Sequence, residues 1–150
     1  MRYLIFLLII VLAGCASVPM PGYIGRIDHP YERKIQGSLD KVVSSTIFVL
    51  KNKGWPIIDE VDSSIYERDD RYDNNGYQNL LIMTDVRKQY RVLYSTSMHL
   101  NVFIHSIGNT CDMEIRYEAQ TPLVKRFISV RNDRVVQDIL DAIEQEVNRP

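Results

Sequence analysis

The sequence predicts an α+β domain in which an antiparallel sheet carries two helices on one face. Residues 38–53 and 132–147 repeat apolar side chains at the three- and four-residue spacing of an amphipathic helix. Residues 99–107 and 110–119 alternate apolar and polar side chains around a Gly-Asn pair, which is typical of a β-hairpin. Further strand candidates lie between the first helix and the hairpin. The predicted order is therefore β-α-β-β-β-β-α, and the predicted architecture is a two-layer sandwich.

Composition places the chain among ordinary globular proteins. Its 150 residues are 45% hydrophobic and carry 18 basic against 19 acidic side chains, a formal net charge of -1. This mixture excludes collagen-like, low-complexity and wholly disordered chains. The near-neutral balance lacks the positive excess with which nucleic-acid-binding proteins engage phosphates, so no nucleic-acid partner is predicted.

The N-terminus has the pattern of a targeting signal. Arg2 precedes an apolar run at residues 3–13, which matches the ~7–15-residue hydrophobic region of a signal peptide and is shorter than the ~20 residues of a spanning helix. The run ends in Leu12-Ala13-Gly14-Cys15, which resembles the lipobox of bacterial lipoproteins. Residues 1–14 are therefore predicted to be a lipoprotein signal peptide. An ordinary secretory signal with a chance cysteine is the alternative.

The lipobox resemblance implies that Cys15 is lipidated. It would carry an S-diacylglycerol thioether, and cleavage after Gly14 would free its amino group for N-palmitoylation. Three acyl chains hold a protein on a membrane almost permanently. In lipoproteins of this type an aspartate after the cysteine favours the inner membrane. This chain has Ala16 there, so we expect a lipid anchor in the cell outer membrane and a domain in the periplasm.

The mature chain is predicted to consist of a tether and a single domain. Residues 15–30 contain two prolines and two glycines between positions 19 and 25 and are interpreted as a lipidated N-terminus and flexible tether. Residues 31–150 are interpreted as one α+β domain, because a chain of this length buries enough surface for a core of its own.

The first half of this domain has clear boundaries. Residues 31–36 are a candidate strand. In the helix predicted at 38–53, Ser38 is the candidate N-cap, and Gly54 fits the position just after the helix, where a left-handed conformation is needed. Pro56 prevents continuation, and Trp55 is expected to close the edge of the core.

The middle of the chain is predicted to add further strands. Residues 57–61 form one strand, and residues 64–68 continue or restart it. Residues 68–79 are polar and acidic and are interpreted as an exposed loop. Residues 79–86 and 90–96 are the next strand candidates.

Counting outward from the Gly108-Asn109 turn predicts the register of the hairpin. On one face the predicted pairs are Ser106–Cys111, Ile104–Met113, Val102–Ile115 and Leu100–Tyr117. On the other they are His105–Asp112, Phe103–Glu114, Asn101–Arg116 and His99–Glu118. The first face is apolar except at the turn and should meet the helices. The second is predicted to be a solvated face of cross-strand polar pairs.

The end of the chain is predicted to form the second helix. Residues 121–130 are interpreted as a loop with a short strand at 127–130. Asn132 or Asp133 caps the helix that follows, which runs to about Val147. Its apolar stripe contains Val135, Val136, Ile139, Leu140, Ile143 and Val147.

The sequence contains no convincing catalytic, cofactor or metal site. His99 and His105 share a strand face but are six residues apart, about 20 Å at ~3.3 Å per residue, so they cannot bind one ion. Cys111 falls on the apolar face, where a thiol stays protonated and inert. With Cys15 lipidated, it also has no disulfide partner. The acidic residues at 69–76 do not match the calcium-binding pattern of an EF-hand.

Two small basic clusters remain. They are Arg87-Lys88 with Arg91, and Lys125-Arg126 with Arg131 and Arg134. Such clusters contact anionic headgroups or the acidic rim of a partner, or they belong to an ordinary solvated surface.

Three segments of the chain resemble the repeated domain of the BamC lipoproteins. They are the helix at 39–50, the residues that follow this helix, Lys53-Gly54-Trp55-Pro56-Ile57-Ile58, and the strand at 80–86 with Thr84-Asp85. That family belongs to the outer-membrane β-barrel assembly machinery. The resemblance covers roughly residues 31–147 and implies a helix-grip layout. The chain has one such domain, where BamC has two.

Two functional hypotheses follow from these patterns. The leading one is an outer-membrane-anchored periplasmic lipoprotein, accessory to outer-membrane assembly, that binds an envelope protein and is not an enzyme. The alternative is a lipid- or lipopolysaccharide-handling accessory that resembles the LptE type and needs an apolar groove between helices and sheet. A third class, an envelope hydrolase, lacks the side chains for catalysis.

Overall fold

The computed structural model of the chain describes residues 22–72, 76–90, 95–120 and 127–150. The predicted signal peptide and Cys15 lie outside these ranges. So do Arg91, Lys125 and Arg126 of the basic clusters. No helix in the described ranges is long and apolar enough to cross a membrane.

Within these ranges the chain forms the predicted α+β sandwich, with a seven-stranded antiparallel sheet and two helices. The elements in chain order are β1 (Tyr31–Gln36), α1 (Leu39–Asn52), β2 (Ile57–Val61), a 3₁₀ turn (Ser63–Ile65), β3 (Gln78–Thr84), β4 (Arg87–Tyr90), β5 (Ser95–Ile107), β6 (Thr110–Gln120), β7 (Ile128–Ser129) and α2 (Asp133–Val147).

The sheet is built around the long hairpin of β5 and β6. Its strand order is β1-β6-β5-β3-β2, with β4 beside the first residues of β5 and β7 beside the last residues of β6. The hairpin register is confirmed at every predicted pair. Gly108 in the turn has a φ of +62°. Glycine reaches this left-handed conformation without strain, and the turn therefore sets the register of both strands.

The strands before the hairpin have different bounds from those predicted. The predicted strand at 79–86 ends at Thr84, because the Thr84 hydroxyl donates to the Leu100 carbonyl and accepts from its amide, both at 3.0 Å. The strand predicted at 90–96 is also wrong. Arg87–Tyr90 forms β4, residues 95–96 already belong to β5, and residues 91–94 lie outside the described ranges.

Residues 64–68 do not continue the strand as predicted. The Asp62 side chain accepts a hydrogen bond of 2.8 Å from the Ser64 amide. This contact closes a 3₁₀ turn, which leads the chain off β2 and across the sheet.

Helix α1 begins and ends where the sequence predicts, but its predicted N-cap side chain makes no capping hydrogen bond. Gly54 has a φ of +74°, and its amide donates to the Lys51 carbonyl while the Trp55 amide donates to the Leu50 carbonyl. This pair of bonds is a Schellman motif. Ser38 occupies the N-cap position, but its side chain makes no capping hydrogen bond. At α2 the Asn132 side chain caps as predicted, accepting from the Val135 amide.

Both helices pack on the predicted apolar face of the sheet. The buried residues of this core come from β1, both helices, β3, β5 and β6. Trp55 is 1% exposed and meets the Tyr117 ring edge to face, with centroids 6.3 Å apart. It closes the edge of the core, as predicted.

Candidate functional site

The sheet face opposite the helices is buried, and the prediction of a solvated face is wrong. The predicted polar residues on it are buried, namely His99, Asn101, His105, Glu114 and Arg116. Two segments cover most of this face: residues 22–26, which we call the strap, and residues 61–72, which we call the covering loop. The His99 ring instead meets Phe127, with centroids 4.8 Å apart. The alternation of apolar and polar residues along β5 and β6 does not predict these two segments, and the segments have no periodic pattern of their own.

The strap crosses the sheet from β2 towards β1. Gly22 lies against the Ile58 side chain of β2. The Ile24 amide donates to the Asn101 side chain on β5, and the Asn101 amide group donates to the Gly22 carbonyl at 2.7 Å. The Ile24 side chain is buried. Residues 22–26 thus belong to the folded domain, which begins earlier than the predicted boundary at residue 31.

Arg116 on β6 is the centre of this face. The residue is 2% exposed, and its guanidinium donates to Glu67 of the covering loop at 2.6 and 2.8 Å. It also donates to Glu114 on its own strand and to the Ile24 carbonyl of the strap at 3.1 Å. Its charged plane lies 3.9 Å from the centre of the Phe103 ring. One side chain therefore joins strap, loop and sheet.

The charges in this cluster are strongly stabilised. Burial alone would raise the pKa of Glu67, but hydrogen bonds from Arg116 and Tyr23 outweigh it and lower that pKa from 4.5 to about 2. Burial and the hydrogen bond to Glu67 raise the pKa of Tyr23 to about 12. The cluster is therefore a fixed ion pair at neutral pH.

No protein-family model and no curated protein matches this chain.

His105 forms a second contact between the face and the covering loop. Its ring stacks on Tyr72, with centroids 3.9 Å apart and an interplanar angle of 5°. Its Nδ1 lies 2.9 Å from the Asn79 side-chain oxygen. The predicted register partner, Asp112, lies opposite on β6, but the hydrogen bond goes to Asn79. The predicted exposed loop at 68–79 is thus packed on the sheet at Tyr72.

Burial lowers the pKa of His105 from 6.5 to about 4. Above pH 6.5 the ring is neutral in both the folded and the unfolded chain. Between 6.5 and about 4 only the unfolded chain binds the proton, so the stabilisation is lost as the pH falls through this window.

Acidification from pH 7 to about pH 4 should lower the free energy of unfolding of both the wild-type protein and His105→Gln. We expect the decrease to be about 2 kcal/mol larger in the wild-type protein. Urea unfolding at several pH values measures this difference. The matched control is His29→Gln at an exposed position, which should keep the wild-type slope. An unchanged slope in His105→Gln would contradict the prediction.

The remaining reactive side chains are also held in place. His99 Nε2 lies 3.3 Å from Glu118, as the register predicts, and its Nδ1 has no hydrogen-bond partner among the described residues. Cys111 lies in the apolar core as predicted, and burial raises the pKa of its thiol. In the described ranges no three His, Cys, Asp or Glu side chains are grouped so that they could hold a metal ion.

Sequence reasoning missed Glu67, Tyr23 and Asn101 as members of the site. A weak signal was present. Phe103 lies between Asn101 and His105 on the polar side of the hairpin, and an aromatic ring there indicates that something covers the face. The donors and acceptors of this site bind one another, so the site attaches the strap and the covering loop to the sheet.

Proposed function

We propose that this chain is an outer-membrane lipoprotein whose domain lies in the periplasm and binds an envelope protein without acting as an enzyme. The observation that carries the proposal is the Leu12-Ala13-Gly14-Cys15 sequence after a short apolar run. The likeness to BamC extends the proposal to an accessory role in outer-membrane assembly.

The attachment of the strap supports the anchored arrangement. Gly22, the first described residue, is only seven positions after Cys15. The strap is held by Asn101 and Arg116, so the folded domain begins close to the proposed lipid. A lipid on Cys15 would therefore hold the domain near the membrane surface.

The state of Arg116 on the buried face and that of Cys111 in the apolar core support a binding role over a catalytic one. The Arg116 guanidinium is engaged by Glu67 and Glu114. The Cys111 thiol is buried with a raised pKa. A nucleophile needs access to substrate and a depressed pKa or an adjacent base, and Cys111 has the opposite properties.

Strand β4 is the surface we propose for the protein partner. Within the described part of the chain it pairs only with β5, so its outer edge is unpaired there. Tyr90 is 77% exposed at its end, and Val86 is exposed just before it. Arg87 lies over the Trp55 ring, and Lys88 is exposed beside it. Exposed aromatic and basic side chains are typical of contacts with an acidic protein segment.

The lipid-handling alternative has less support. It needs an apolar groove between helices and sheet, but the side chains that meet there fill the space. Val42, Leu50, Leu140 and Ile143 of the helices and Leu100 and Val102 of β5 are fully buried in one continuous core. A lipid would have to displace them.

Lipidation is tested at Cys15. In cells fed an alkyne analogue of palmitate, we expect the wild-type protein to be labelled and to fractionate with the outer membrane. Cys15→Ser should lose the label and the membrane association, because the sulfur that forms the thioether is gone. Cys111→Ser is the matched control and should remain labelled. A labelled Cys15→Ser protein, or an unlabelled wild type, would contradict the proposal.

Partner binding is tested by crosslinking and purification from detergent-solubilised membranes. We expect Tyr90→Ala and Lys88→Glu each to reduce recovery of the crosslinked protein several-fold, because they alter the exposed edge of β4. Lys51→Glu on the exposed side of α1 makes the same charge change and should leave recovery intact. Equal recovery from all variants would remove β4 as the binding surface.

A further inference from the structure

The length of the tether restricts which surface can reach the membrane. Gly22 is seven positions after Cys15, which corresponds to at most about 25 Å of extended chain. A domain of this size is about 36 Å across. The side of the domain farthest from Gly22 therefore cannot touch a membrane that holds Cys15, whereas the surface around Gly22 can.

The surface around Gly22 exposes two large apolar side chains. Ile58 of β2 lies against Gly22 and is 48% exposed. Tyr23 stacks on Tyr66 with ring centroids 4.7 Å apart, and the preceding residue, Ile65, is 69% exposed. We call Gly22, Ile58 and Ile65 the anchor-side surface. Ile58 contacts the first residue of the strap, and Ile65 is the chain neighbour of Tyr66, which stacks on the second.

Charged side chains on the same surface indicate which kind of lipid it fits. Asp59 follows Ile58 on β2 and Asp62 precedes the 3₁₀ turn, while Glu60 between them lies on the other side of the strand; all three are exposed. A cluster of carboxylates is repelled by anionic headgroups. These acids and a register shift between Ile57 and Asp59 also protect the edge of β2 that is unpaired among the described residues against pairing with another strand.

We infer that the anchor-side surface rests on the bilayer that holds Cys15, with Ile58 and Ile65 in contact with a zwitterionic headgroup region. This inference rests on the proposed lipid anchor. The helices pack on the opposite face of the sheet, so α1 and its exposed Phe48 point away from the lipid.

The test uses the full-length lipidated protein, reconstituted into phosphatidylcholine vesicles. An environment-sensitive fluorophore is attached at Ile58→Cys, at Ile65→Cys or at Phe48→Cys. Phe48 is the matched control, because it has the same 48% exposure as Ile58 but lies on α1. Cys111 is buried and Cys15 would be a thioether, so the parent protein should take up no fluorophore. Circular dichroism confirms that each variant is folded.

Lipids with a nitroxide on the headgroup should quench fluorophores at positions 58 and 65 several-fold more strongly than one at 48. Replacing part of the phosphatidylcholine with phosphatidylglycerol should weaken that quenching. Equal quenching at all three positions, or stronger quenching at 48, would overturn the inference. The inference would also be overturned if the fluorophore at position 58 were shielded from water in a way that depends on protein concentration and not on lipid. A second copy of the chain would then cover the surface. If the mass of the purified protein shows no attached lipid and the protein does not remain on vesicles, the proposed lipid anchor itself would be wrong.

Discussion

Replacing Arg116 with methionine is expected to lower the free energy of unfolding by about 3–5 kcal/mol at pH 7. Methionine retains most of the packing over Phe103 but removes the charge. Glu114 is then left in a covered site without its ionic partner, and Glu67 keeps only the more distant contact with the exposed Arg26. The strap also loses the hydrogen bond to the Ile24 carbonyl. Urea unfolding followed by circular dichroism measures the effect.

The matched control for Arg116 is Arg33 on β1. Arg33 makes ion pairs with Asp141 and Glu144 of α2, and both carboxylates are well exposed to water. Arg33→Met should therefore cost no more than about 1 kcal/mol. Adding Glu67→Gln and Glu114→Gln to Arg116→Met should recover part of the lost stability, because no unpaired charge then remains. Similar losses from Arg116→Met and Arg33→Met would show that the buried cluster is not a special source of stability.

Trp55→Ala is expected to cost about 3–5 kcal/mol of unfolding free energy, because a large buried ring leaves a cavity that the sheet and α1 cannot close. The variant also removes the edge-to-face contact with Tyr117 and the surface on which the Arg87 guanidinium lies, 5.2 Å from the ring centre.

The control for Trp55→Ala is Phe48→Ala, an aromatic truncation at a position that is about half exposed. It should cost well under half as much, since less of the removed ring is taken from a packed site. Urea unfolding followed by circular dichroism compares the two, because tryptophan fluorescence is lost in Trp55→Ala. A small effect at Trp55 would mean that the core closes around the missing ring.

The elements of the fold were predicted well where local rules are strong. The two-residue turn at Gly108 set the register of β5 and β6, because a one-residue slip would exchange the two faces of the hairpin. Gly54 and Pro56 marked the end of α1, and Asn132 marked the start of α2. Each of these signals involves residues that are close in the chain.

The candidate site was predicted poorly because its contacts join residues that are far apart in the chain. Arg116 binds Glu67 and the Ile24 carbonyl across 49 and 92 positions. Neither the strap nor the covering loop has apolar side chains at a regular spacing, so no periodic pattern in the sequence predicts that they are buried. The polar residues of the hairpin were expected to contact water. Asn101 and Arg116 instead bond to these two segments, and His105 stacks on Tyr72 of the covering loop.

The amino-acid sequence by itself determined where the two helices form, how the hairpin is paired and which of its faces meets the helices. These depend on turn geometry and on periods of two and 3.6 residues, which are local properties. Only the tertiary structure decided that residues 22–26 and 61–72 cover the second face and that Arg116 holds them there. A buried charge is stable only when oppositely charged or hydrogen-bonding partners lie next to it. Which distant residues will lie next to it cannot be deduced from their positions along the chain.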